Sequence, residues 1–302
     1  MASVTILINR GSGAAQRDSS IADKTADALR EAGVEGRVEL IEGDDCAARS
    51  RAIAERGDAL LIVGGGDGTI SAAVSALAGT ETCLGILPLG TLNHFARDLG
   101  VPLDLQGAAK LIAQGDRRRV DVAEMNGRLF INNSAIGLYP LMVIDRDLQR
   151  QRLGRSKRLA MIVASLRMLM RFGHQRLTLT VNAEHARVDT PLLFVGNNSY
   201  RLDIGAPGHR EHLDEGELSV FVMRKKTRRG LIAASVRALF DRTRRDDMVQ
   251  LEHVQRLKVG SHKSALAVSL DGEVVRAAPP LEYRIMKKAL LVIVPCRKRR
   301  EP

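Results

Sequence analysis

The pattern of apolar and polar positions changes character once along the chain, near residue 119. Before that point short apolar runs alternate with stretches of helical period. SVTILIN at 3–9, RVELI at 37–41, ALLIV at 59–63 and CLGILP at 83–88 read as strands. Between them the spacing predicts helices from Ile21 to Ala32 and from Ala47 to Arg56, and a third in which Ile70, Ala73, Val74 and Leu77 fall at i, i+3, i+4 and i+7. A helix from Leu105 to Ala113 closes this half. Strands alternating with helices predict an α/β layer built on a parallel sheet.

From Arg119 onward the texture is that of short β runs separated by turn residues: RVDVAEM, RLFINN, RLTLTVN, PLLFVGN, ELSVFVM, VQRLKVG, ALAVSL and LEYRIM. This predicts a β-rich, sandwich-like second domain. Two amphipathic helical insertions flanked by Lys and Arg are expected within it, at Arg158 to Phe172 and Gly230 to Asp241. A last apolar run, KALLVIVP, could return to the first domain. The expected division is 1–118 for the α/β domain, 119–287 for the β-rich domain, and 288–302 rejoining the first.

With 302 residues and 45% hydrophobic content the chain can fill two cores. Its longest apolar helix candidate, Leu159 to Met170, is interrupted by Ser165 and Arg167 and falls short of the ~18 apolar residues that cross a bilayer. The N-terminus enters a strand without a leader, so a cytoplasmic location is expected. Cys46, Cys83 and Cys296 lack the spacing of a zinc site or a disulfide framework and read as reduced thiols. A net charge of +11 and a pI near 10.0 point to a polyanionic partner. Aromatic residues make up 3% with no Trp, which leaves few stacking platforms for nucleic acid and favours an anionic lipid surface, approached peripherally. Nothing in the sequence decides for or against a homo-oligomer.

The sharpest local motif is Gly64-Gly65-Gly66-Asp67-Gly68-Thr69, between ALLIV and the Ile70 helix. A strand, a glycine turn and a helix N-terminus form an anion site, because residues without Cβ let backbone N–H groups approach phosphate oxygens. Thr69 either caps the helix or donates to a phosphate. Asp67 makes sense holding a Mg²⁺ that bridges nucleotide phosphates, or else as a simple helix cap. Asn9 and the backbone of Gly11, Ser12 and Gly13 lie at a strand end, where open α/β sheets bind ligands, and are candidate ATP contacts. Thr91 and Asn93 follow a strand and a Pro-Gly turn and either face the same crevice or cap the next helix. Asp271-Gly272 between two β runs is, on its own, a hairpin turn signal.

GGGDGT is shared by diacylglycerol kinases, sphingosine kinases, NAD kinases and, more loosely, phosphofructokinases. The segment Pro88-Leu89-Gly90-Thr91-Leu92-Asn93-His94-Phe95-Ala96-Arg97-Asp98 resembles the PxGTxNDxAR signature of the lipid kinases. Asn9-Arg10-Gly11-Ser12-Gly13 is similar to their NPxSG loop, with Arg10 at the usual proline. Asp121 and Asp271-Gly272-Glu273 match further along, so the resemblance to the diacylglycerol kinase catalytic family runs collinearly from about residue 3 to about 295. It implies an ATP- and Mg²⁺-dependent kinase of lipid metabolism, with ATP on Asn9, Gly65, Gly66, Asp67, Gly68, Thr69 and Thr91 and the active site in a cleft between the domains. It implies that Asp271 or Glu273 is the base that accepts the proton of a lipid hydroxyl such as that of diacylglycerol or a sphingoid base. It also implies a structural divalent ion near Asp214 and Glu215 in HLDEGEL, where Glu215 replaces a usual Asp. His94 stands at another usual Asp. The two departures leave room for a silent lipid-sensing protein of the same fold; an NAD kinase-like or small-alcohol kinase is the rival enzyme. The basic clusters at Arg150, Arg152, Arg155, Lys157 and Arg158, and at Arg224, Lys225, Lys226, Arg228 and Arg229, are candidate membrane-docking elements.

Overall fold

A computed structural model of the chain describes residues 4–137, 173–182, 184–199, 210, 212–224 and 248–296. Both expected helical insertions lie outside the described residues, as do all members of the two basic clusters except Arg224. The chain forms two units, one made of Met1–Val122, His209–Gly216 and Met286–Pro302, the other of Ala123–Gly208 and Glu217–Ile285.

In the first unit, β1 (Val4–Asn9), β2 (Gly36–Ile41), β3 (Leu60–Gly65) and β4 (Cys83–Pro88) form a parallel sheet in the order β2-β1-β3-β4. The strands Leu60–Gly65 and Cys83–Pro88 are buried almost throughout, as strands covered on both faces must be. A long strand, β16 (Leu281–Val294), adds its later residues beside β4, with Val292 opposite Leu84 in parallel register. Helix α2 (Ile21–Glu31) buries Ile21, Thr25, Ala28 and Leu29 on one stripe, and α6 (Leu105–Gln114) buries Ala108, Ala109 and Ile112. Helix α3 (Cys46–Glu55) and α4 (Asp67–Leu77) complete the layers. The order reverses at β1: the chain moves outward to β2, then crosses to β3 on the other side. Such a reversal opens a crevice at the carboxyl ends of the two central strands.

The second unit is antiparallel. β12 (Met248–Val254), β11 (Leu218–Met223), β10 (Leu192–Asn197), β7 (Asn133–Gly137), β14 (Leu266–Leu270) and β15 (Glu273–Ala277) form one six-stranded sheet in that order. The first residues of β16, β13 (Arg256–Ser261), β8 (Gln175–Val181) and β9 (Glu184–Thr190) pair in succession. The end of β5 (Asp116–Met125) makes a hairpin with β6 (Arg128–Phe130). Alternate residues of these strands, among them Phe130, Leu177, Leu179, Val195, Val220, Val259, Val268 and Tyr283, share one apolar core. The Tyr283 hydroxyl reaches Ser134 Oγ at 3.1 Å inside it, and burial raises its pKa.

The α/β and β-rich classes follow the sequence pattern, and the last apolar run does return to the first unit. The boundaries fall at Val122 and Ile285 rather than at 118 and 287, and the excursion His209–Gly216 was not visible in the pattern. LEYRIM and KALLVIVP are one 14-residue strand: the exposed pair Lys287 and Lys288 interrupts the apolar run without ending the strand, and Lys288 absorbs the irregularity at φ 51°.

Candidate phosphate-binding site

Three loops leave the carboxyl ends of β1, β3 and β4 and are tied to one another. Asn9 Nδ2, at the end of β1, donates to Thr69 Oγ1 in the first turn of α4 at 2.7 Å. Its Oδ1 accepts from the Gly11 amide at 2.7 Å, so one side chain shapes its own loop and reaches across to the next. Ala14 N donates to Leu89 O and Leu89 N to Gly65 O, each at 3.0 Å, which joins the first loop to the third and the third to the second.

The glycines are needed at close approaches. A Cβ on Gly65 would lie 2.5 Å from Thr69 Cβ, and one on Gly90 would clash with Gly66 Cα and lie 2.6 Å from Asn93 Oδ1. Gly66 is the N-cap of α4, with extended backbone and no side chain capping it. The first amides of that helix therefore face outward at its positive end, beside a floor kept free of Cβ atoms. This arrangement fits a phosphate, and residues 66–69 would hold it.

Asp67 is half-buried as the first residue of α4, and its Oδ1 accepts from Phe95 N at 3.2 Å. It thereby links α4 to α5 (His94–Asp98), which starts the segment after the third loop. A divalent cation on bound phosphates would find one carboxylate here. His94 opens α5 beside this link.

Several expected ligand contacts have other duties. Ser12 is buried and caps α1 (Gly13–Arg17), its Oγ accepting from Ala15 N at 3.3 Å. Asn93 sits at φ 51° and is buried, with Nδ2 donating to Pro88 O and Gly90 O and Oδ1 accepting from Gly90 N. Its side-chain amide closes the Pro88–Gly90 turn and so supports the third loop from within. Thr91 is exposed, and a Cβ on Gly13 would lie 3.4 Å from its Oγ1, which places the hydroxyl at the mouth of the first loop.

The turn at 213–216 carries the two acids of the expected ion site. Asp214 and Glu215 are both exposed, and among the described residues no three His, Cys, Asp or Glu side chains converge. The acceptor that organises this turn is Asp121, 1% exposed. Its oxygens take the amides of Gly216 and Lys288, each at 2.7 Å, while its own amide donates to Leu213 O. Burial pushes the Asp121 carboxyl above the usual carboxylate range, against the two amides that favour its charged form. The Lys287 side chain lies against Gly216, which has φ 75°.

In the second unit Asp271 and Gly272, at φ 47° and 88°, make the two-residue hairpin between β14 and β15. The Asp271 carboxylate accepts three amides, Ile131 N at 2.9 Å on Oδ2, and Asn132 N at 2.8 Å and Asn133 N at 3.1 Å on Oδ1. Glu273 is exposed.

Two features escaped the sequence pattern. A cavity of about 390 Å³ opens at the carboxyl ends of β1 and β2, lined by Arg10, Leu40, Ile41, Glu42 and Asp45 among others. Arg210, fully buried, pairs with Asp98. Neither belongs to a motif, since only the folded chain brings their parts together.

A strand-reversal crevice lined by glycine loops at parallel strand ends is where open α/β sheets bind their ligands. Residues 3–125 match the family model of the diacylglycerol kinase catalytic domain. A diacylglycerol kinase of Staphylococcus aureus is 40% identical over 113 residues, which are 36% of this chain and 36% of that protein. The chain thus matches about a third of the length of this curated relative. A Bacillus anthracis crystal structure described as a diacylglycerol kinase covers 97% of this chain and 96% of that one at 21% identity, with a TM-score of 0.71. Yeast NADH kinase complexed with NADH covers 97% and 84% at 12% identity, with a TM-score of 0.54. At these identities the two structures share the fold.

Proposed function

We propose that the protein is an ATP-dependent lipid kinase that transfers the γ-phosphate to a lipid hydroxyl such as that of diacylglycerol or a sphingoid base. The observation that carries this reading is the cradle in which Gly65 and Gly90 leave no room for a Cβ beside the uncapped start of α4 at Gly66. The ATP phosphates lie on residues 66–69, with the Asn9–Thr69 pair fixing the floor and Thr91 at the rim. The nucleoside occupies the cavity at Arg10, Leu40 and Glu42, where Leu40 offers an exposed apolar face and Glu42 an acceptor for ribose hydroxyls. Bound Mg²⁺ supplies charge neutralisation on the phosphates, and Asp67 is the carboxylate that holds it.

Proton removal needs only a well-placed acceptor in such a transfer. We assign that role to the acids of the 271–273 turn: three amides orient the Asp271 carboxylate but favour its charged form and so weaken it as a base, whereas Glu273 is exposed. The acceptor lipid is met at an anionic membrane surface by a cytoplasmic, peripherally bound protein. Among the described residues no helix is long and apolar enough to cross a membrane.

The test is incubation with labelled ATP, Mg²⁺ and mixed micelles of diacylglycerol, sphingoid base, ceramide and monoacylglycerol. Label is expected in one of the lipids and is lost by at least about a hundredfold in a folded Asp67→Asn variant. Asp271→Asn and Glu273→Gln should differ sharply, the variant of the base losing turnover at nearly unchanged ATP affinity. Label appearing in NAD or a soluble alcohol, with none in lipid, would replace this reading with that of a soluble-acceptor kinase.

A further inference from the structure

We propose that Arg210 is a positioning residue of the phosphate site, acting through Asp98 to fix the short helix whose amide holds Asp67. This rests on the assignment of Asp67 to the phosphate site.

Helix α5 has every reason to be unstable alone. It is five residues long, far below the length at which a helix holds itself. It is entered through Asn93 in the left-handed region, a conformation that costs a non-glycine residue energy. It ends in Asp98, whose negative charge opposes the negative end of the helix dipole. An acid at that position is explained by what it binds. Asp98 Oδ2 accepts from Arg210 Nε at 2.8 Å and lies 2.7 Å from the second terminal guanidinium nitrogen, while Oδ1 accepts from the Arg210 amide at 3.3 Å. The two side chains are 0% and 3% exposed. One residue thus meets both oxygens of the carboxylate, with its backbone on one and its guanidinium on the other, and rotation of Asp98 is blocked from both sides.

The consequence reaches the other end of the same helix. Phe95 N, in the first turn of α5, is the donor to Asp67 Oδ1. A shift of α5 along its axis moves that amide, and Asp67 moves with it. The N-terminal end of α5 is already held by the Asn93 side chain on the Pro88–Gly90 turn. The Arg210 pair supplies the second fixed point, and two points are needed to set the orientation of a single turn and a half of helix. Arg210 comes from the excursion His209–Gly216, which joins the first unit between strands β10 and β11 of the second. The setting of Asp67 therefore depends on a segment 112 residues away from α5 in sequence.

The experiment uses full-length protein, with MgATP affinity by calorimetry, turnover on micellar lipid and thermal melting. Arg210→Lys keeps the charge and loses the fork, and Asp98→Asn keeps the shape and loses the charge. Each is expected to lower kcat/KM for ATP about tenfold, the scale of a small misplacement of a reacting group. In an Asp67→Asn background the same changes should cost less than about twofold, because their effect passes through Asp67. A purely structural pair would give the same loss in both backgrounds, and that additive result overturns the proposal, as do wild-type kinetics in a folded variant. If single variants fail to fold, the apolar pair Asp98→Leu with Arg210→Met replaces the buried ions by residues that interiors tolerate. It should melt near the wild type and still show the tenfold loss. A wild type that binds MgATP but phosphorylates no lipid overturns the lipid reading alone, and the coupling in MgATP affinity then decides the positioning role. A wild type that binds no nucleotide overturns both.

Discussion

At Gly90 the backbone has no space for a side chain, since an added Cβ would meet Gly66 Cα and Asn93 Oδ1. Neither neighbour can move away: the first is main chain, and the second is held in its turn by its own hydrogen bonds. Gly90→Ala should lower stability by about 1–3 kcal/mol, the usual cost of overpacking, and weaken nucleotide binding with it. Gly66→Ala is the control. Its Cβ would meet only Gly90 Cα at 3.4 Å, an ordinary contact, so melting should be unchanged while MgATP affinity falls; calorimetry and thermal unfolding of the two variants check this. At this scale the sequence was legible where the chemistry is local. The glycine turn, Asp67 and Asn9 were visible because strand, turn and helix start follow one another within a few residues. The duties of Asp98 and Asp271 were not, because their partners lie 112 and about 140 residues away. Asn93 shows a third case: its partners are near, but a motif match and a turn-closing amide look alike in one dimension.

Among the elements, β5 and β16 carry the most consequence for stability. Asp121 in β5 takes one amide from the 213–216 turn and one from Lys288 in β16. Because its folded pKa is raised above the ordinary value of 3.8, the native state binds a proton that the unfolded state has released in the interval between the two values. Its contribution is fully present below 3.8 and is lost as pH rises through the folded value. Asp121→Asn should remove that dependence, seen as a flatter curve of unfolding free energy against pH just above 3.8. It should also cost about 1–3 kcal/mol at neutral pH, since an amide nitrogen would face a backbone N–H that has lost its acceptor. Denaturant unfolding at several pH values measures both. Helices α2, α3, α4 and α6 of the first unit and most strands of the second were read from period alone, whereas α1 and α5, five residues each, are too short to show one. The continuity of β16 was not, because Lys287 and Lys288 look like a turn when only polarity is read.

For the molecule as a whole, the charge of +11 is the feature on which the membrane proposal stands. Binding to vesicles should require anionic lipid and fall steeply with salt, because exposed charges are screened beyond roughly 8 Å at physiological ionic strength. Reversing Lys225, Lys226, Arg228 and Arg229 to Glu should raise KM for lipid on such vesicles and leave KM for ATP nearly unchanged. Sedimentation with vesicles at graded salt checks the first, and steady-state kinetics the second; insensitivity to both would remove the membrane from this account. The assembly of the first unit from three separated stretches bears on how the protein is made. During translation β1 to β4 emerge first, with Asp121 soon after, yet the amide donors of that carboxylate are synthesised 95 and 167 residues later, and the strand that lies beside β4 comes with the second of them. Domains otherwise tend to fold in order as they leave the ribosome. Here the first unit must wait, with one flank of its sheet uncovered, until the whole of the β-rich unit has been translated, and a nascent chain arrested before Met286 should be a substrate for chaperones.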